Sequence, residues 1–209
     1  MSLGCLWIVV RANRLKCLAS GNEAVDRSVV RRLVLVDESK ARSYFMVATT
    51  MGHGEAAAVR RELRSLVLPG QRGLHMQSES ARRRRLIITT ITMMAREREW
   101  TIRLYDAGSA APEKSHRRRC IEALVGDVES HAETHVVFDR DRLLESWDRQ
   151  IMIEAGRFPT TGGRVTHEHQ SRKVELLLAI PDALAWCWAR GGPWRQQIRE
   201  VVDDARWVG

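Results

Sequence analysis

The sequence lacks any cysteine pattern that would hold a metal ion or a disulfide framework. Its four cysteines, Cys5, Cys17, Cys120 and Cys187, are widely scattered, and none belongs to a C-x-x-C pair. Zinc sites and disulfide-rich folds need clustered or regularly spaced cysteines. We therefore expect free, reduced thiols, which are typical of cytoplasmic proteins.

Long hydrophobic runs are also missing. No apolar run reaches the ~20 residues that a membrane-spanning helix requires. The apolar segment 3–10 is followed, rather than preceded, by the basic residues Arg11, Arg14 and Lys16. This is the reverse of the order in a secretory signal. The sequence thus predicts a cytoplasmic protein that has no membrane as a partner.

Motifs of several well-known enzyme sites are absent as well. There is no G-x-G-x-x-G or G-x-x-x-x-G-K-[ST] phosphate loop and no G-x-S-x-G nucleophile motif. A hydrolase that used His75 or His169 as general base would need a nucleophile, and no residue is a clear candidate. His167 and His169 flank Glu168 but lack a nearby third ligand for zinc. Acidic residues are left as the main candidates for chemistry.

Positive charge is abundant and unevenly distributed. The 209-residue chain has a net charge of +8. Residues 1–120 contain 23 basic and 11 acidic side chains, whereas residues 121–209 contain 11 and 15. A basic half and an acidic half fit a polyanion-binding surface beside a carboxylate site. Nucleic acid is therefore the partner that the charge distribution favours.

The pattern of apolar residues predicts one α/β domain. A hydrophobic fraction of 44% can fill one sizeable core, and we assign residues 31–209 to it. Residues 1–30 have no clear period and form an N-terminal extension: a disordered arm, an added strand, or sequence upstream of the true start codon. From Leu33 the order is strand, strand, helix, helix, strand, helix, strand, helix, short strand and helices. This order predicts a mixed β-sheet with helices on both faces.

Aspartates follow three of the predicted strands at the points where the strands end. Asp37, Asp106 and Asp139 each come directly after a run of strand-forming apolar residues. In open α/β sheets, functional groups gather at such ends. Carboxylates that meet there repel one another unless a cation lies between them, and Mg²⁺ and Mn²⁺ prefer oxygen ligands. The alternative is that each aspartate only forms a turn.

Short motifs in a fixed order carry a family resemblance. Asp-Glu-Ser at 37–39 closes the first strand, Tyr-Phe-Met-Val at 44–47 forms the next, and Pro-Asp-Ala-Leu-Ala-Trp at 181–186 lies in a late apolar helix. Across roughly residues 31–192, this order resembles a group of uncharacterised bacterial proteins that share a domain of unknown function and are regarded as RNase H-like. The resemblance implies an RNase H-like mixed sheet.

The same resemblance implies a set of metal ligands. RNase H-like proteins use an Asp on the first strand, an acidic residue on a following helix, an Asp ending a later strand, and an acidic residue in the last helix. Here these are Asp37, Glu79, Asp139 and Asp182, which would be the catalytic residues and would hold Mg²⁺ or Mn²⁺. Asp106 is the alternative to Asp139, and Asp182 could instead be a helix cap.

Two arginine runs are candidates for phosphate contacts. Residues 82–85 are four consecutive arginines after Glu79, of which only one or two can face a substrate if the segment is helical. Arg82, Arg83 and Arg85 are the expected nucleic-acid contacts, and a solvated helix surface is the alternative. The second run, 117–119, lies near a helix start and is expected to be plain surface.

Further side chains are expected near these groups or in the core. Glu38, Asp141 and Asp148 are expected beside the metal ligands or in solvent. The tryptophans of the C-terminal part are expected mainly in the core, although Trp194 and Trp207 could stack on bases.

Two hypotheses about function follow. The first is a metal-dependent nuclease-like protein that hydrolyses phosphodiester bonds, and the alternative is a non-catalytic RNase H-like binding or interaction module. A cluster of the four carboxylates favours the first hypothesis, and a dispersed set favours the second.

Overall fold

The computed structural model describes residues 30–128, 132–156 and 164–209. Most of the predicted N-terminal extension, with Cys5 and Cys17, lies outside these residues. Cys120 and Cys187 are buried free thiols, and burial raises the pKa of each to about 12. Within the described part of the chain, no helix is long and apolar enough to cross a membrane.

The described residues form one six-stranded sheet. Its strands are β1 (Val30–Ser39), β2 (Tyr44–Gly52), β3 (Thr101–Gly108), β4 (Ala132–Asp139), β5 (Val165–Gln170) and β6 (Asp204–Trp207). Their order across the sheet is β5-β4-β1-β2-β3-β6. Among these six strands only β2 runs opposite to the others, so the sheet is mixed.

Helices cover both faces of this sheet. They are α1 (Ala56–Ser65), α2 (Ala81–Glu97), α3 (Glu113–Gly126), α4 (Glu145–Gly156), α5 (Ala179–Arg190) and α6 (Gly192–Ile198). Leu33 and Leu35 of β1 pack in the core with α1, α2, α5 and α6. Val34 and Val36 pack in the core with α3 and α4. The predicted α/β fold class, a mixed sheet with helices on both faces, is confirmed.

The segment after the arginine run is helical, as its apolar spacing predicts. Strand-favouring residues at 88–92 compete with that spacing, but Ile88, Ile91 and Met94 are all buried on one helix face. The helix begins at a local cap, because the Ser80 hydroxyl accepts a hydrogen bond from the Arg83 backbone N–H. Packing and capping therefore outweigh the strand propensity of this segment.

The chain order of the strands and helices agrees with the predicted order in all but one element. Strand β3 follows α1 and α2 in the chain, as expected, and lies next to β2 in the sheet. Strand β6 was not predicted, since it is only four residues long and half exposed. Glu79 directly precedes α2, the second helix, which is where the sequence places it.

The sheet brings three chain segments to one edge. Strands β1 and β4 are parallel neighbours with Val36 opposite Phe138, so the residues after both strands leave the same edge. Strand β5 is parallel to β4 with Gln170 opposite Asp139, so the turn after β5 starts there too. Helix α5 packs across β1 and β2. This edge is where functional groups are expected in an α/β sheet.

Candidate functional site

A cleft of about 530 Å³ opens at this edge of the sheet. It is lined by five carboxylates and four long basic side chains, with a histidine and a tryptophan. These are Asp37, Glu38, Asp139, Asp141 and Asp182; Lys40, Arg140, Arg142 and Arg172; and His75 and Trp186. Acidic groups from β1, β4 and α5 therefore meet in one concave site.

One guanidinium lies between three of these carboxylates. Arg172 Nη1 is 2.5 Å from Asp182 Oδ1 and 3.9 Å from Asp37 Oδ2. Its Nη2 is 2.9 Å from Asp139 Oδ2. The three aspartates come from three different elements, so Arg172 neutralises part of a negative charge that the fold itself gathers.

Asp182 faces the cleft and does not cap a helix. The N-cap residue of α5 is Leu178, so Asp182 lies inside the helix. Its Oδ2 accepts a hydrogen bond from the Met76 backbone N–H at 2.8 Å. The His75 Nδ1 lies 3.2 Å from its Oδ1. These contacts fix the carboxylate and correct the alternative interpretation of Asp182 as a cap.

Burial and mutual repulsion disfavour the ionised form of two of these carboxylates. Burial, with the charges of Glu38 and Asp182, raises the pKa of Asp37 well above its usual value, although Arg172 opposes the rise. Burial also raises the pKa of Asp139, again against Arg172. Burial lowers the pKa of Arg172, but the surrounding carboxylates outweigh it and the net shift is upward. One guanidinium thus leaves the cluster short of positive charge.

Glu79 does not line the cleft. It is buried, and its carboxylate receives hydrogen bonds from Gln71 at 3.1 Å and from Arg83 at 3.2 Å. Asp106 also lies away from the cleft, where it accepts hydrogen bonds from Ser43 and from the Gly108 backbone N–H. Of the expected ligand set, the structure brings together Asp37, Asp139 and Asp182, and it leaves out Glu79.

The arginines expected to contact nucleic acid do not line the cleft either. Arg83 is half-buried and bonds Glu79 and the Leu66 carbonyl oxygen. Arg82 is exposed, and Arg85 is exposed with its guanidinium over the Trp194 ring. These side chains belong to the outer surface of α2.

The run at 117–119 contains a buried ion pair, which corrects its interpretation as plain surface. Arg117 is fully buried and bonds Asp148 twice, at 2.5 and 2.7 Å. It also lies 2.9 Å from Glu38 and donates to the Tyr44 hydroxyl at 3.2 Å. His169 contacts Asp148 at 2.9 Å, so neither residue is solvated. Arg117 holds Glu38 next to Asp37, beneath the cleft.

This network makes a testable contribution to acid stability. Burial raises the pKa of Asp148, but hydrogen bonds from His169 and Arg117 outweigh it and keep the pKa below its usual value. A carboxylate of this kind stabilises the fold above its unfolded pKa of about 3.9, and that contribution is lost as pH falls through the lower folded pKa. We expect the stability deficit of Asp148→Asn, measured by urea unfolding, to shrink below about pH 4.

Asp204, which is half-exposed at the start of strand β6, provides the matched control. Asp204→Asn should change the unfolding free energy little at any pH, since Asp204 is 44% exposed. A deficit of Asp148→Asn that stays constant from neutral to acid pH would contradict the role of its ionised carboxylate.

Sequence reasoning missed Arg172 because it considered only acidic groups at strand ends. Arg172 lies two residues after the last residue of β5, at the same edge as Asp139. The rule that identified Asp37 and Asp139 would have identified Arg172 if it had included cations.

Comparisons with known proteins concern the fold. The sequence matches no protein-family model, and no curated protein matches it. Among solved structures, the chain is similar to the ribonuclease H2 from Pyrococcus horikoshii OT3, with 8% identity, a TM-score of 0.49, and coverage of 81% of this chain and 75% of that chain. It is also similar to a mutant of Bst-RNase HIII, with 12% identity and a TM-score of 0.47. That match covers 82% of this chain and 58% of the other chain. At these identities, function has to be argued from the cleft.

Proposed function

We propose that this chain is a divalent-cation-dependent hydrolase of nucleic-acid phosphodiester bonds, with Asp37, Asp139 and Asp182 as the cation ligands and Mg²⁺ or Mn²⁺ as cofactor. The observation that carries the proposal is the guanidinium of Arg172 held by these three carboxylates. A site that gathers three acidic groups around one positive charge is chemically suited to a cation.

The donor chemistry fits a hard divalent ion. Carboxylate oxygens are the ligands that Mg²⁺ and Mn²⁺ prefer, and the raised pKa values of Asp37 and Asp139 favour more positive charge at the site. As the side chains stand, no group of three His, Cys, Asp or Glu among the described residues is spaced to hold a metal ion. Arg172 lies between the aspartates, so we treat its guanidinium as a stand-in cation that a divalent ion displaces.

The residues of the cleft would divide the work of hydrolysis. Asp37, Asp139 and Asp182 would hold the divalent ion, which would supply activation of water and stabilisation of the leaving oxygen of a phosphodiester. The Met76 N–H keeps the Asp182 carboxylate in place. Lys40, Arg140, Arg142 and Arg172 would supply positive charge for the substrate phosphates.

Two further side chains, His75 and Glu79, are not proposed as ligands of the ion. His75 is half-buried, and its Nδ1 contact with Asp182 helps to position that carboxylate in the cleft. Glu79 is not included among the proposed ligands because it is paired with Arg83 outside the cleft. The proposed set therefore has three aspartates rather than four carboxylates.

Substitution of Asp37 tests the proposal directly. Asp37→Asn keeps the size of the side chain and removes one charge from the cluster. We expect Mn²⁺ affinity by calorimetry and cleavage of RNA, DNA or hybrid substrates to fall by at least about a hundredfold, since even groups behind metal ligands change affinity by 10–100-fold.

Asp106→Asn is the matched control for this experiment. It changes the same residue type near the end of a strand, but Asp106 bonds Ser43 and lies outside the cleft. It should keep metal binding and cleavage. Equal losses in both variants, or a wild type that binds no Mn²⁺ or Mg²⁺, would sink the metal-hydrolase proposal.

A non-catalytic module on the same fold is the second candidate. The observation that favours it is again Arg172, which would then be the permanent counter-ion of the aspartates. In that case the wild type binds nucleic acid and neither binds Mn²⁺ nor cleaves.

A further inference from the structure

Helices α2, α5 and α6 pack together next to the cleft and carry an unusual concentration of positive charge. Helix α2 contains five arginines and one acidic residue, Glu97. Helices α5 and α6 together contain two arginines, Arg190 and Arg195, and one acidic residue, Asp182. The same helices carry three of the seven tryptophans of the chain. We call the following residues the arginine–tryptophan surface: Arg82, Arg84, Arg85, Trp186, Trp188, Trp194 and Arg195.

Two arginines and two tryptophans form a row of contacts on this surface, in the order Arg84, Trp186, Trp194 and Arg85. The Arg84 guanidinium carbon lies 4.7 Å from the centre of the Trp186 ring. The Arg85 guanidinium carbon lies 5.8 Å from the Trp194 ring centre. The two tryptophan rings meet edge to face, with centroids 5.0 Å apart. Planar cationic and aromatic groups therefore form a continuous row.

A third arginine–tryptophan pair joins α5 to α6. The Arg195 guanidinium carbon lies 4.6 Å from the Trp188 ring centre, and Arg195 also donates to the Trp188 carbonyl oxygen. Trp186, Trp188 and Trp194 are only half-buried, so their rings retain contact with solvent. Trp186 also lines the cleft, and the row thus leads into the candidate active site.

We propose that the arginine–tryptophan surface binds a single-stranded nucleic acid and guides it towards the cleft. Arginines contact phosphates without regard to sequence, and bases stack on tryptophan rings and on guanidinium planes. A duplex keeps its bases stacked inside and cannot use such a row, so a single strand is the ligand that fits. The guiding role rests on the proposed hydrolase function, whereas strand binding does not.

Another stacked group on the opposite face of the sheet provides a contrast. Trp147 of α4 lies under Lys114 and Arg118, at 5.3 and 5.1 Å. There Arg118 is paired with Glu122 and Glu154, so its charge is already neutralised. This group resembles the arginine–tryptophan surface in its geometry, but it lacks the excess of positive charge of that surface.

Fluorescence anisotropy with the full chain tests the proposal. The probes are labelled 20-nucleotide oligouridylate and oligothymidylate, with a labelled duplex of the same length, in EDTA so that no cleavage occurs. We expect the single strands to bind at least about tenfold more tightly than the duplex. Trp194→Leu should weaken single-strand binding about tenfold, since stacking contributes substantially for each base. Arg85→Gln should reduce the slope of log affinity against log salt by about 0.7.

Two matched controls separate this surface from general charge and general packing. Trp147→Leu and Arg119→Gln remove a half-buried tryptophan and an exposed arginine on the opposite face. Both should bind single strands within about twofold of the wild type. Arg85 is exposed, so Arg85→Gln remains informative even if Trp194→Leu fails to fold.

The outcomes distinguish the proposal from the hydrolase function. Failure of the wild type to bind either single strand at low salt, tighter binding to the duplex, or equal losses in the control variants would overturn the strand-binding role. Single-strand binding that depends on Trp194 and Arg85, without any metal-dependent cleavage, would uphold it while removing the hydrolase function and the guiding role.

Discussion

Replacing Arg117 with methionine is expected to lower the free energy of unfolding by about 3–5 kcal/mol, the usual cost of removing one partner of a buried ion pair. Arg117 is completely buried, and it bonds Asp148 through two N–H groups. Methionine fills much of the volume but leaves the Asp148 carboxylate with the His169 ring as its remaining side-chain partner. Urea unfolding followed by circular dichroism measures the loss.

Arg119→Met is the matched control, because it changes the same residue type two positions along the same helix. Arg119 is exposed, and surface substitutions of this kind usually change stability by about 0.5 kcal/mol or less. The double variant Arg117→Met, Asp148→Leu should recover part of the loss, since apolar replacement of a buried pair is often nearly neutral. If Arg117→Met and Arg119→Met lowered the free energy of unfolding by similar amounts, the buried ion pair would not be what stabilises the fold at this position.

The position of Arg117 could have been predicted from the sequence. Arg117 stands at helical spacing with Cys120, Ile121 and Leu124, all of which are buried on the sheet side of α3. Consecutive arginines point about 100° apart around a helix, so one of the three at 117–119 had to face the core. Treating the run as one unit concealed this, because a charge run is usually solvated.

Two of the three aspartates around Arg172 could be predicted from the sequence by a geometric argument. Asp37 and Asp139 each follow an apolar strand, and parallel neighbouring strands end at the same edge of a sheet. The sequence left Asp106 as the alternative to Asp139, because it does not give the order of the strands in the sheet. The structure separates the two, since β4 lies beside β1 and β3 lies two positions away.

Glu79 lies where the sequence places it along the chain, at the start of the second helix, but its side chain does not line the cleft. Its carboxylate is buried and bonds Gln71 and Arg83 instead. The sequence pattern predicts where the helix begins, whereas the direction of this one side chain depends on how the preceding loop packs. Arg172 was missed because only acidic groups were considered at strand ends, and because four of the five residues 171–175 are polar and suggest only a turn.

Arg172→Ala is expected to produce the second large effect, with opposite consequences for stability and for metal binding. Without the guanidinium, Asp37, Asp139 and Asp182 lose the cation that they share. We expect the free energy of unfolding at pH 7 to fall by about 3 kcal/mol. Burial already raises the pKa of Asp37 and Asp139 above the unfolded value of about 3.9, and the loss of Arg172 raises both further. The deficit should therefore grow as pH rises through the raised folded pKa values of these two carboxyl groups.

Divalent cations should reverse this deficit, because the variant no longer has an internal competitor for the carboxylates. At about 100 times its dissociation constant, Mn²⁺ would restore about 2.7 kcal/mol, and calorimetry should show tighter Mn²⁺ binding than in the wild type. Arg172→Lys, which keeps the charge, and Arg142→Ala, which removes an exposed cleft arginine, should both gain no more stability from Mn²⁺ than the wild type does. If Arg172→Ala is destabilised and Mn²⁺ restores nothing, then Arg172 is a permanent counter-ion, and the cleft belongs to a binding module rather than a hydrolase.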